Sequence, residues 1–244
     1  MNAIVKEFLL KAVAFLCPNQ VGKVVFYHDA HDRKKYAKTS TPLQLLASHI
    51  KIGKDNGFSF PQGLPFNKKE VMICFDDGYR GVYDCKEYFQ KNDIRPTIFL
   101  AVDLIGQEGY LSWDEIKELQ QYGFVFQSHT CSHRTLTEVP EPELAHELKD
   151  SKSIIEDKLG NEVNWLCFPR GRFTRHICQT AYGFGYDKLF SSIPGNALDS
   201  RADGLICRNI VQSLSPAAFL ATLNGGANLF YNRYYKLHCM SSNT

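Results

Sequence analysis

The 244-residue sequence predicts an α/β fold, a single domain built as an irregular (β/α) barrel of about seven parallel strands. Three observations carry that prediction. Short β-rich runs alternate strictly with helical stretches that have recognisable start signals. The connections are a few residues long, which implies parallel strands joined by crossover helices. Runs such as VMICF (71–75) are continuously apolar, as suits strands covered on both faces. Seven or so such units favour a barrel over an open sheet. A globular composition of 44% hydrophobic and 22% charged residues suits one large core or two small ones, and no linker rich in Pro, Gly or Ser and no internal repeat divides the chain, which favours a single domain.

The elements follow in order. Residues 1–20 read as an N-terminal amphipathic helix, an appendage to the domain at 21–244. Ile4, Val5, Phe8, Leu9, Ala12, Val13 and Leu16 gather on one side, with Asn2, Lys6, Glu7 and Lys11 on the other. Those charges interrupt any continuous apolar core and no small-residue cleavage site follows, so a secretory signal is not expected. The helix is expected to pack on its own domain, with a membrane-surface contact through residues 1–18 as the alternative.

KVVFYH (23–28) reads as the first strand, and Thr41, Pro42 and Gln44 read as a capping-box start for a helix to about Lys54. VMICF is the next strand, followed by a helix carrying Val82, Cys85, Tyr88 and Phe89. Then come the strand PTIFLAV, a helix capped by Ser112 with Glu115 three residues on, and the strand FVFQ ending at Ser128. The longest helix follows Pro140, with Leu144, Leu148, Ile155 and Leu159 at helical spacing and Gly160 as its stop. NWLCF, a helix from about Thr174, KLFSS, LICR and a last helix opened by Ser215 and Pro216 complete the order.

A net charge of +2 with scattered basic residues argues against nucleic acid as a partner. The eight cysteines form no C-x-x-C pair, and the nearest neighbours lie eleven residues apart, which weakens zinc-ribbon and redox readings. Several sit inside apolar runs as small core hydrophobes, so a reducing, cytoplasmic compartment is expected.

In parallel α/β folds, chemistry gathers where strands end. Four exits carry polar residues: His28 and Asp29 after KVVFY, Asp76 and Asp77 after VMICF, His129 and His133 after FVFQS, and Pro169, Arg170 and Gly171 after NWLCF. Two histidines four apart can meet on one metal ion, and an acidic pair before glycine can make a turn or cap a helix. Together, two imidazoles and one carboxylate make a three-ligand site with positions open for water and substrate, leaving the second carboxylate free as a base. A divalent cation also compensates for two adjacent buried negative charges.

From about Val24 to Val211 the chain resembles the polysaccharide deacetylases with the NodB homology domain, in CFDDG (74–78), HTCSH (129–133) and FPRG (168–171). FYHDA (26–30) resembles a subgroup acting on exopolysaccharides, in which the motif order is permuted and the acid histidine ends an N-terminal strand. The resemblance implies Asp76 as general base, Asp77, His129 and His133 as metal ligands, and an oxyanion-binding backbone N–H at Arg170. Two departures stand out: an arginine side chain at position 170, where an aromatic residue is common, and Cys167 where many members have the arginine that holds the base. Arg208 is the candidate replacement for that arginine, with Arg172 behind it. For the general acid, His28 is preferred to His238, which follows Leu237 as typical members would have it. Tyr79, Pro169, Gly171 and Trp165 are expected to border the sugar, although packing is the stronger reading of Trp165. His31, His49, His146 and His176 read as solvated.

The resemblance implies a metal-dependent hydrolase that removes N-acetyl groups from an amino sugar in a glycan or glycan precursor, releasing acetate. Hydrolysis of a formamide or cyclic amide, or an idle carbohydrate-binding module, are the alternatives. Zinc suits the ligands best, and cobalt, nickel and iron fit them too. The expected location is cytoplasmic, with a membrane-associated alternative, so the substrate is expected to be a glycan under assembly or a nucleotide-linked or lipid-linked precursor.

Overall fold

Because a parallel strand is flanked by helices on one side and by its own barrel interior on the other, its apolar run need not alternate. The computed structural model, describing residues 3–202 and 204–239, has this construction. The elements are α1 (Ala3–Leu16), β1 (Lys23–Tyr27), β2 (Ala30–His31), β3 (Thr41–Pro42), α2 (Leu43–Asp55), β4 (Val71–Phe75), α3 (Gly81–Asp84), α4 (Lys86–Lys91), β5 (Thr97–Leu100) and α5 (Trp113–Gln121). They continue with β6 (Val125–Ser128), α6 (Glu141–Ala145), α7 (Ser151–Leu159), β7 (Trp165–Cys167), α8 (Arg175–Gly183), β8 (Lys188–Phe190), β9 (Asn209–Ile210), α9 (Pro216–Leu223) and α10 (Tyr231–His238).

Seven strands form one parallel sheet in the order β8-β7-β6-β5-β4-β1-β9, curled into a half-barrel. Its outer edges approach each other: Phe190 bridges Ile206, and Ile206 N donates to Leu189 O at 2.8 Å. Every second strand residue points inward, so Val24, Phe26, Met72, Cys74, Phe99, Cys167 and Phe190 fill the interior. The alternate residues, including Val25, Tyr27, Ile73, Phe75 and Ile98, pack under the helices.

Ser112 forms the expected capping box: Glu115 N donates to its Oγ, and Ser112 N to Glu115 Oε2. The helix after Pro140 runs to Leu159 with a π-helical turn at His146–Asp150, and Gly160 closes it at φ 70°. Other details differ from the sequence reading. Thr41 is no cap: it lies in β3 and its hydroxyl donates to Gln212 O, so Pro42 begins α2 without a side-chain cap. LICR contributes only the Ile206 bridge, and the strand forms later, at β9. Residues 231–238 form a helix that was not expected. His49 is fully buried, bonded to Tyr27 OH and Leu214 O, and His31 is buried against Ser40 Oγ.

Helix α1 docks by a face rotated from the one the apolar pattern marked, with Leu9 and Ala14 packed against the core beside Leu10. Leu10 is buried, while Ile4 (77%), Phe8 (70%), Phe15 (86%) and Leu16 (73%) face outward. The Glu7 carboxylate decides the orientation: it accepts from Ser215 N at 3.0 Å and Ser215 Oγ at 2.8 Å, at the N-terminus of α9, where the helix dipole favours an anion. Among the described residues, no helix is long and apolar enough to cross a membrane.

Candidate active site and metal centre

Asp76 and Asp77 leave β4 where the chain turns sharply: Asp77 and Gly78 both have positive φ, 73° and 83°. The turn separates the two side chains. Asp76 goes to Arg208, whose Nη1 and Nη2 donate to its two oxygens at 2.7 and 2.9 Å. This fork-to-fork pair is completely buried; Arg208 Nε donates to Ser191 O at 2.9 Å, and its guanidinium lies 4.2 Å from the Phe26 ring centre. Burial pushes the Asp76 carboxyl up, but the Arg208 guanidinium, with His129 behind it, overcomes burial and holds it below its ordinary value. Asp76 is therefore held as a carboxylate. Arg172 bonds Glu138 instead, at 3.0 Å. Cys167, at the position of the missing arginine, puts its Sγ 3.9 Å from Asp76 Oδ2.

Asp77 goes the other way. Its Oδ1 lies 3.3 Å from His129 Nε2 and 3.1 Å from His133 Nε2. His129 Nδ1 is 2.7 Å from the Cys167 carbonyl, which can only accept, so Nδ1 donates there and Nε2 is the nitrogen that faces Asp77. Although the approaches are close, no donor is aligned on Asp77 Oδ1, a buried oxygen without a hydrogen-bond partner. Burial pushes the Asp77 carboxyl up, yet the His129 and His133 rings overcome it and hold it well below the carboxylate range. Ligand atoms of all three residues lie within 4.8 Å of one another. One orphaned carboxylate oxygen facing two imidazole nitrogens fits a divalent cation. Asp76, His129 and Cys167 also cluster within that distance, but Arg208 already fills both Asp76 oxygens and burial keeps the Cys167 thiol protonated, so they fit a cation poorly.

The surrounding loops are strained where these residues sit. Among the described residues, six non-glycines have positive φ, and four of them, Asp77, Thr130, His133 and Arg170, are in this region. Each such residue costs about 1–3 kcal/mol, a cost that tends to concentrate at functional sites. Pro169 is buried, and Arg170 (φ 57°) and Gly171 (φ 69°) turn back beneath the exits of β7 and β8. A Cβ at Gly171 would stand 2.6 Å from His238 Nδ1 and 2.7 Å from Ser192 Cβ, so that turn requires glycine.

Both candidate acids border the site. His28, at the exit of β1, is half-buried with Nδ1 2.8 Å from Gln212 Oε1, and it stands close enough to Asp76 to act on that carboxyl. His238 ends α10 with Nδ1 buried and unpartnered; burial first, then Arg172, push its pKa down. Tyr79 stacks on Tyr110 with ring centres 4.7 Å apart, a pair whose second member the sequence reading missed. Gln212 and Ser192 were missed too, since no motif marks them. Trp165 is placed differently: it opens β7, two residues before Cys167, and its ring packs 5.3 Å from Phe190 in the barrel interior.

Comparison with known proteins bears on this geometry. The profile of the family described as polysaccharide deacetylase matches residues 63–189, just over half of the 244-residue chain. The chain belongs to the polysaccharide deacetylase family. The matched segment contains Asp76, Asp77, His129, His133 and Pro169–Gly171, whereas His28, Arg208 and His238 lie outside it. A Bacillus subtilis (strain 168) protein named "Putative polysaccharide deacetylase YxkH" is 28% identical over 192 residues, 73% of this chain and 68% of its own. The Streptococcus pyogenes deacetylase PplD, solved in complex with acetate, superposes with a TM-score of 0.74 at 24% identity, covering 84% of this chain and 99% of its own. IcaB from Ammonifex degensii gives 0.74 at 19% identity, covering 85% and 98%. At these identities the two structures show a shared fold. This polysaccharide deacetylase is thus a hydrolase on a NodB-type barrel.

Proposed function

We propose that this polysaccharide deacetylase is a metal-dependent N-deacetylase of N-acetylated amino sugars, releasing acetate. The observation that carries the proposal is the division at one strand exit: Asp76 locked by Arg208 as an ionised base, and Asp77 left with an orphaned oxygen facing His129 and His133. The acetate bound by the Streptococcus pyogenes relative supports acetyl as the group released.

A divalent ion held by Asp77, His129 and His133 would supply a bound water of lowered pKa and polarise the substrate carbonyl. Zinc fits two imidazoles and one carboxylate best, and cobalt, nickel or iron fit the same donors. Asp76 takes the proton from the attacking water, its charge kept available by Arg208. The Arg170 N–H, fixed in its left-handed turn, meets charge developing on the carbonyl oxygen. His28 delivers a proton to the departing nitrogen through Nε2, because Gln212 engages Nδ1. Tyr79 with Tyr110, and the Pro169–Gly171 turn, flank the sugar.

The substrate is proposed to be a glycan or a lipid-linked or nucleotide-linked precursor on the cytoplasmic side. The outward apolar face of α1, with Ile4, Phe8, Phe15 and Leu16, supports contact with a membrane surface. Liposome flotation of the full chain tests this: loss of binding in Phe8→Ser/Phe15→Ser is expected, and no binding by the wild type would refute it. The activity is tested by assaying N-acetylated and N-formylated amino sugars and oligosaccharides. Acetate release lost in Asp76→Asn supports the proposal. Formate release alone, or saturable sugar binding without product, refutes it.

A further inference from the structure

Between the two metal-facing histidines, the chain makes a tight loop that ordinary strand or helix bonding does not hold. Thr130 (φ 72°) and His133 (φ 59°) are both left-handed. What grips the loop is a carboxylate outside every motif read from the sequence. Glu147 is completely buried in the π-helical turn between α6 and α7. Its Oε2 accepts from Cys131 N and Ser132 N, each at 3.0 Å. Its Oε1 accepts from Ser132 Oγ, and from Arg134 Nη2 at 3.3 Å. The donors come from residues 131, 132 and 134, so the carboxylate brackets His133 and takes up two of the three backbone amides between the histidines, the third, Thr130 N, donating to Ser128 Oγ.

The support behind Glu147 is rigid as well. Ser151 Oγ donates to Glu147 O at 2.8 Å and meets Ser128 Oγ, at the end of β6, at 2.9 Å. The π-helical turn is therefore tied to the strand from which His129 emerges. π-Helical turns recur at functional sites. Here the side chain that holds the loop is carried by one.

We infer that Glu147 is a positioning residue for the metal centre, fixing the 130–134 loop so that His133 meets Asp77 and His129. The inference rests on the metal-centre reading above and deepens it. The Glu147 carboxylate bonds Cys131, Ser132 and Arg134 and not Asp77 or an imidazole, so it acts through backbone geometry. Groups that orient metal ligands typically change affinity by about 10–100-fold when removed.

The test compares Zn²⁺ affinity, by competition with a chromophoric chelator, and the visible spectrum of the Co²⁺-loaded protein in wild type, Glu147→Gln and Asp77→Ala. Glu147→Gln should weaken Zn²⁺ binding about 10–100-fold and alter the Co²⁺ bands while the metal-free protein stays folded. Unchanged affinity and an unchanged spectrum, with only a lowered melting temperature, would overturn the inference and leave Glu147 as a helix anchor. Should Glu147→Gln not fold, Ser132→Ala removes one arm of the grip and leaves the carboxylate with its amide and arginine partners. A loss of about two- to fivefold then supports the inference, and an unchanged affinity overturns it. A wild type that binds no Zn²⁺ in excess of Asp77→Ala would overturn the metal-centre reading, and the inference with it. Binding by wild type, lost in Asp77→Ala but untouched by either loop variant, overturns the inference alone.

Discussion

Two buried ionic centres sit at opposite ends of the barrel and are treated in opposite ways. Where β1 starts, the Lys23 ammonium is surrounded by Asn19 O at 3.1 Å, Val21 O at 2.6 Å and Asn196 Oδ1 at 2.9 Å, so each of its three donors has a fixed acceptor. Where β4 ends, Asp77 Oδ1 is buried with no aligned donor and two imidazoles in front of it. Asp76 lies between these extremes, its charge matched by Arg208 but its surroundings opening on the site. A buried charge with every valence filled by the fold serves the fold. One left short costs stability unless something else arrives to complete it.

Mutations at the two ends should separate these roles. The largest effect is expected from Asp77→Ala or His129→Ala: kcat/KM for acetate release falls roughly a thousandfold or more, and in Asp77→Ala the metal-free melting temperature stays nearly level because the Oδ1 that is lost has no aligned donor. A large drop in that melting temperature would contradict the contrast.

Arg208→Met should damage both properties. Leaving the Asp76 carboxylate buried and unpaired costs about 3–5 kcal/mol in urea unfolding, and the base protonates, lowering kcat/KM by roughly 10²–10⁴-fold. Retained stability would show that Arg208 is not the partner that keeps Asp76 charged.

At the other end, Lys23→Met should cost about 1–3 kcal/mol, since Asn19, Val21 and Asn196 each lose a donor, with kcat/KM per folded molecule unchanged. Loss of turnover there would break the division between the ends.

The smallest effect concerns His49, bonded at both nitrogens as Lys23 is at its three donors. Burial lowers its pKa in the folded state. Stability from this residue is therefore complete above the unfolded value of about 6.5 and is lost as pH falls toward and through the lower folded value. Urea unfolding from pH 7.5 to 5 should show this decline in wild type and a shallower one in His49→Gln.

The same contrast explains what could be read from the sequence. The exits were legible because polar residues interrupt apolar runs there, and a carboxylate pair and two histidines four apart limit the chemistry that fits. Arg208 was one candidate among two, since its partner lies 132 positions away and only sheet curvature brings them together. Glu147 carries no signal at all: a glutamate on an amphipathic helix looks solvated until the loop it holds is seen. The orientation of α1 was misjudged because an apolar stripe marks the greasy face and says nothing of where Glu7 will find donors. His49 was taken as solvated because two of its partners come from distant strands and loops. Thr41 looked like a cap because its local pattern fits one, but Gln212 O offered its hydroxyl another acceptor.

The most direct test of the central claim is a titration of metal-stripped wild-type protein with Zn²⁺, reading acetate released from an N-acetylglucosamine oligomer. Activity should rise from near zero and break at one equivalent, with no such rise in Asp77→Ala. Full activity in the stripped protein, or an identical titration in Asp77→Ala, would contradict the account.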